Sequence, residues 1–136
     1  MVGIVVVSHS ERAAEGIAEV AAEMAGDTRI EPVGGDGKGG IGTVPDAIED
    51  AIDAAAGGET DEGGRSDGDG VVVLVDLGSA VMNADVAVEL SDAEAVIADA
   101  PVLEGAVNAA VAATDPSATV ESVREQAEAA RDIEKL

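Results

Sequence analysis

The chain has 136 residues, seven Lys and Arg against 29 Asp and Glu for a formal charge of -22, 46% apolar residues, and no Phe, Tyr, Trp or Cys. That length reads as one domain with an aliphatic core; the apolar content excludes a wholly disordered acidic chain, the missing cysteines exclude disulfides and thiolate metal sites, and the acid excess without a basic, aromatic-interleaved stripe argues against nucleic-acid binding. The same charge predicts a protein of an extreme halophile, because at 1 M salt the Debye length falls to about 3 Å and self-repulsion is screened.

Val2 to Val7 is a continuous apolar run rich in β-branched side chains, the pattern of a strand buried on both faces of a parallel sheet. It ends in Ser8-His9-Ser10, which holds the one histidine of the chain. From Glu11 to Met24, Ala14, Ile17, Ala18, Ala21 and Met24 fall at helical spacing. The spacing Ser8-x-x-Glu11 is a capping box that starts this helix at Ser8 and puts His9 in its first position; Ser10 is the alternative cap, one step on. Either way His9 stands at the positive end of a helix dipole.

Arg29 to Val33 predicts a second strand, followed by the glycine-rich GGDGKGGIGT. Gly35, Gly37 and Gly40 spell G-x-G-x-x-G, but the dinucleotide fingerprint belongs in the first strand-to-helix turn, which SHSERAAEG holds here. A phosphate-binding loop of the Walker type fails too, since Lys38 precedes Gly39 and Pro32 stands where the first glycine belongs. A flexible loop explains most of these glycines, and Gly42 with Thr43 is the part expected to touch a site. A helix then runs from about Val44 to Ala55, with Pro45 tolerable in its first turn.

Ala56 to Gly70 is low-complexity and acidic, and predicts a mobile surface loop. Val71 to Val75 is a second central-strand pattern, ending in DLGSA. Asp76 there either fixes the tautomer of the imidazole or merely ends a strand and caps a turn. Gly78 would let a group approach the backbone closely, and Ser79 would cap the next helix, to Leu90, and offer a hydroxyl. A fourth strand over Ala95 to Asp99, a helix near Leu103 to Ala113 and a last helix begun by Asp115 and Pro116 complete the chain.

Strands alternating with helices imply an α/β fold: an open, mainly parallel four-stranded sheet with helices on both faces. Functional residues in such folds collect beyond the carboxyl ends of the strands, so SHS, GGDGKGGIGT, DLGSA and DAPVLEG would share one edge. A lone histidine makes a poor metal site, and no G-x-S-x-G nucleophile elbow exists. His9 as the covalent nucleophile needs neither metal nor triad, because imidazole accepts and passes on a phosphoryl group. With no run of about 18 apolar residues and no charged, cleavable leader, no membrane association is expected and the location reads as cytoplasmic.

Taken together, VVVSHSERAAEGIAEVA, the glycine pair Gly34-Gly35 with Ile41 to Thr43, VLVDLGSAVMNA and APVLEGAVNAA resemble, in order along the chain, the phosphotransfer subunits of dihydroxyacetone kinase (the DhaM family), which share the mannose-type EIIA fold of the phosphotransferase system. The sugar-transporting relatives typically carry their histidine before a glycine and a DLxGG-type segment later; SHS and DLGSA favour the dihydroxyacetone branch. The resemblance implies a single EIIA-like domain over 1–136 and a homodimer, without cofactor or metal. It implies that His9 accepts phosphate from HPr and passes it to ADP on the subunit DhaL, which serves DhaK. Asp76 would orient the ring, and Ser10, Thr43, Gly78 and Ser79 would hold phosphoryl oxygens. Some members continue into HPr-like and Enzyme I-like domains, whereas here the donors would be separate proteins. The alternatives are an EIIA component of a sugar transporter, or a non-catalytic flavodoxin-like regulatory module.

Overall fold

In the computed structural model the described residues are 1–57 and 69–136. All but the ends of the acidic stretch from Ala56 to Gly70 therefore lies outside the described residues. Four strands, β1 (Gly3–Ser8), β2 (Ile30–Gly34), β3 (Val71–Val75) and β4 (Ala95–Ile97), form one sheet in the order β2-β1-β3-β4, every pair parallel. Among the described residues five α-helices connect and follow them: α1 (Glu11–Ala22), α2 (Pro45–Ala55), α3 (Val81–Leu90), α4 (Val102–Ala113) and α5 (Val120–Glu128). This is the α/β class that the alternating pattern predicts.

Strand alternation sorts the aliphatic residues into two cores. Val2, Ile4, Val6, Val72 and Leu74 face α1, α4 and α5, whereas Val5, Val7, Val71 and Val73 face α2 and α3. Side chains such as Ile4 and Leu74 are fully buried, each contributing roughly 1.5–3 kcal/mol by leaving water. Without aromatic rings to span wide gaps, the helices lie close. Ala106, Ala109, Ala110 and Ala113 form the inward stripe of α4, and a Cβ on Gly105 would stand 2.9 Å from Ala100 Cβ and 3.0 Å from Leu74 Cδ1.

The chain runs from β1 outward to β2, then crosses back to β3 on the other side of β1. That reversal opens a crevice between the carboxyl ends of β1 and β3, where ligands of open α/β sheets bind. His9 and Asp76 follow those two ends directly.

Several boundaries differ from the sequence pattern. Ser10, not Ser8, caps α1, accepting from the Ala13 N–H at 3.2 Å; Ser8 is still in the strand, paired with Gly34, so His9 precedes the cap. Ser79 does not cap the helix: Gly78–Ala80 make a 3-10 turn that runs into α3, whose own cap position, Ala80, has no polar side chain to offer. Helix α1 stops at Ala22, and β4 keeps only Ala95–Ile97. Asp115 and Pro116 do not start the last helix. The Asp115 carboxylate instead accepts from the Ser117 N–H and hydroxyl in a turn, and Thr119 caps α5 through a reciprocal pair with Ser122. Among the described residues no helix is long and apolar enough to cross a membrane.

Candidate active site

The carboxylate of Asp76 organises the loop after β1. Its Oδ2 accepts from the backbone N–H of His9 at 3.0 Å and from the Ser8 hydroxyl at 2.9 Å, and its Oδ1 lies 3.0 Å from His9 Nδ1. Ser8 Oγ in turn accepts from the Ser10 N–H at 3.1 Å. The carboxylate thus grips backbone, ring and the strand's last hydroxyl together, and is more than a strand end. Partial burial works against its charge, but the His9 N–H, the imidazole and the Ser8 hydroxyl outweigh it and hold the Asp76 carboxyl below the usual carboxylate range.

An ionised carboxylate at Nδ1 demands the proton there, so in the neutral ring Nε2 carries the in-plane lone pair. Nε2 lies 3.0 Å from Ser79 Oγ, in an exposed contact. The ring is pinned from within at one nitrogen and turned outward at the other. The imidazole and the Asp76 side chain retain 21% and 19% of their surface, so the pair is partly open to solvent.

The glycine loop after β2 closes on the same place. Gly42 donates its N–H to the His9 carbonyl at 2.8 Å, which fixes the end of the loop against the histidine. Thr43 follows, and its Oγ1 and carbonyl accept from Asn83 Nδ2 of α3 at 2.7 and 3.2 Å. The rest of the loop folds onto itself: Asp36 Oδ1 accepts from the N–H groups of Lys38 and Gly40, both at 2.8 Å, and these bonds hold its carboxyl below the ordinary range. A carboxylate therefore occupies two of the backbone donors that a bound phosphate would use, which argues against a nucleotide loop. At the start of the loop a Cβ on Gly34 would stand 2.4 Å from the Ser8 carbonyl oxygen and 2.8 Å from that of Ser10. Only glycine lets β2 end this close to the segment that carries His9.

Two grooves open at residues next to His9, one at Ser10 after it and one at its partner Asp76. One, of about 560 Å³, runs between Ser10 to Arg12 and the glycines of the β2–α2 loop; the other, of about 470 Å³, lies between Asp76 to Gly78 and Ile97 to Ala100. Gly78 sits in the second, and beyond its two chain neighbours no atom of the described residues lies within 4 Å of where its Cβ would be, so it leaves open space there. The structure thus brings His9, Asp76, Ser79 and Thr43 to one edge, while the Ser10 oxygen serves as a helix cap. Sequence reasoning missed Ser8 as a ligand of Asp76 and missed Asn83. The latter had a signal, a single amide in the apolar run VMNADVAV four residues after Ser79. Among the described residues no group of three or more His, Cys, Asp or Glu side chains is arranged to hold a metal ion.

Comparison with known families gives this geometry its context. Residues 3–124 match the EIIA-man family, described as the fructose IIA component of the phosphotransferase system. The chain belongs to this EIIA family. The DhaM phosphotransferase subunit of the dihydroxyacetone kinase of Lactococcus lactis is 36% identical over 126 residues, covering 93% of both chains. A DhaM phosphoryl donor subunit of Listeria innocua is 40% identical over 116 residues, covering 82% of this chain and 85% of its own. Among solved structures, the crystal structure of a protein of unknown function, EF1359, superposes with a TM-score of 0.75 at 27% identity, over 94% of this chain and 93% of the other. These similarities put the chain on the DhaM side of the EIIA family.

Proposed function

We propose that this protein is the phosphoryl carrier of a phosphoenolpyruvate-dependent dihydroxyacetone kinase, with His9 as the residue that is phosphorylated. The observation that carries the reading is the imidazole held by Asp76 at Nδ1 with Nε2 facing outward at Ser79. The Nε2 lone pair attacks the phosphorus of a phosphohistidine on HPr in line. The new N–P bond forms as the donor's N–P bond breaks, the leaving imidazole keeping that electron pair. The proton on Nδ1 stays, shared with Asp76, whose negative charge offsets the positive charge that phosphorylation brings to the ring. The Ser79 hydroxyl, released from Nε2, turns to a phosphoryl oxygen, where Thr43 and the open backbone at Gly78 add donors; positioning and electrostatics of this kind are what phosphoryl transfer requires. In the second half-reaction the group passes from Nε2 to ADP held by DhaL, which serves DhaK. A cytoplasmic homodimer completes the proposal.

Incubation with phosphoenolpyruvate, Enzyme I and HPr of the same source in high salt, followed by intact mass measurement, tests it. The expected result is an acid-labile gain of one phosphoryl group, absent in His9→Ala. No gain from donors that charge a control acceptor would overturn the proposal.

A further inference from the structure

The amide of Asn83 has no part in the chemistry described so far, yet it is the side chain of α3 that reaches the loop carrying Thr43. Asn83 lies four residues beyond Ser79, on the same side of the 3-10 turn and helix. Ser79 is at His9 Nε2, and Asn83, one turn deeper and half-buried, is at Thr43. Its NH2 faces two acceptors, the Thr43 hydroxyl oxygen at 2.7 Å and the Thr43 carbonyl at 3.2 Å, and that pairing decides which end of the amide points there.

We propose that Asn83 is a positioning residue that makes the Thr43 hydroxyl a donor toward the group carried on His9. An amide NH2 only donates, so Thr43 Oγ1 must accept from it, and the one proton of the hydroxyl is left for a third partner. The Gly42 N–H bonded to the His9 carbonyl holds the neighbouring residue against the histidine, which limits where that proton can be aimed. Ser79 and Thr43 then approach the phosphoryl oxygens from two different loops, and Asn83 is the strut between those loops. The inference rests on the phosphocarrier reading of His9.

Asn83→Asp tests it, because a carboxylate keeps the shape and only accepts, drawing the Thr43 proton to itself and away from the site. Rapid-quench measurement of His9 phosphorylation by phospho-HPr, on the full chain in high salt, should show a maximal rate lower by about tenfold or more. The half-saturating HPr concentration should stay unchanged, because the docking face is untouched. Asn83→Ala, which adds no charge, should lose less, and Asn83→Asp combined with Thr43→Val should be no slower than Thr43→Val alone within about twofold, the mark of two residues acting as one unit. Asn83 variants that charge at the wild-type rate, or losses that multiply with that of Thr43→Val, overturn the role of Asn83 while the carrier reading stands. A wild type that takes no phosphoryl group from active donors overturns both.

Discussion

Asp76 accepts from three donors with two oxygens, and each donor comes from the segment that delivers His9. Replacing it by Asn keeps the shape but puts an NH2 where an acceptor is needed. Asp76→Asn should therefore lower the rate of His9 phosphorylation by about 10–100-fold, the scale of losing a carboxylate that orients a working imidazole. The same variant tests the acid behaviour of the fold. The native pKa of Asp76 lies below its unfolded value of about 3.9, so its stabilisation is complete above that value and disappears as pH falls through the native one. Urea melts of wild type and Asp76→Asn should differ by a constant amount from about pH 5 upward and converge below the unfolded value. A gap that persists unchanged at lower pH would mean that the carboxylate contributes by shape and not by charge. At this scale the sequence was readable where one residue followed one strand, as with His9 and Asp76. It was unreadable for Ser8 and Asn83, which lie inside β1 and α3 and not directly after a strand, so nothing in their positions marked their bonds to Asp76 and Thr43.

The elements carry the site by bringing loops together, and Gly34 shows how little room they leave. Its neighbour in register is Ser8, the residue before His9. A methyl group there collides with backbone, which cannot swing aside as a side chain does. Gly34→Ala should cost about 1–3 kcal/mol in thermal or urea unfolding, and should slow His9 phosphorylation in the molecules that remain folded, since the displaced segment includes the histidine. Normal stability and rate would show that β2 shifts freely. Strand cores were legible here because runs such as VVVLV are the pattern of a buried central strand, and a helix was expected near each of α1 to α5, on apolar spacing in α1 and on composition and start signals in the others. The caps were less so: several serines and aspartates near each start satisfy the same rule, and tertiary demand chooses among them. Ser8 lost the cap of α1 because Asp76 claimed its hydroxyl, and Asp115 lost that of α5 because a turn claimed its carboxylate.

Over the whole molecule the charge of -22 is an opposing force that the two aliphatic cores must outweigh. Glu49 on α2 registers it locally: burial first, and then the charges of Asp53, Asp46, Asp50 and Asp92, push its carboxyl above the usual range. We propose that stability rises with salt. The thermal midpoint followed by far-ultraviolet circular dichroism should climb between about 0.1 and 2 M KCl as the Debye length falls from about 10 Å toward 3 Å and less. Glu49→Gln should raise the midpoint more at the low-salt end than at the high one, where only the part due to burial remains; an equal effect at both would exclude repulsion as a contributor. Fold class was written in the strand-helix alternation, but no composition rule could say which acids would crowd one another.

A ring with one nitrogen committed inward leaves a single doorway. On the proposed reading, donor and acceptor come to the same atom from outside, so one must depart before the other arrives. The protein is then a turnstile, and its throughput depends on the spent donor leaving as much as on the chemistry. An excess of uncharged HPr would slow delivery to the kinase by standing in the way, and the flux through dihydroxyacetone would register how much of the donor pool is loaded.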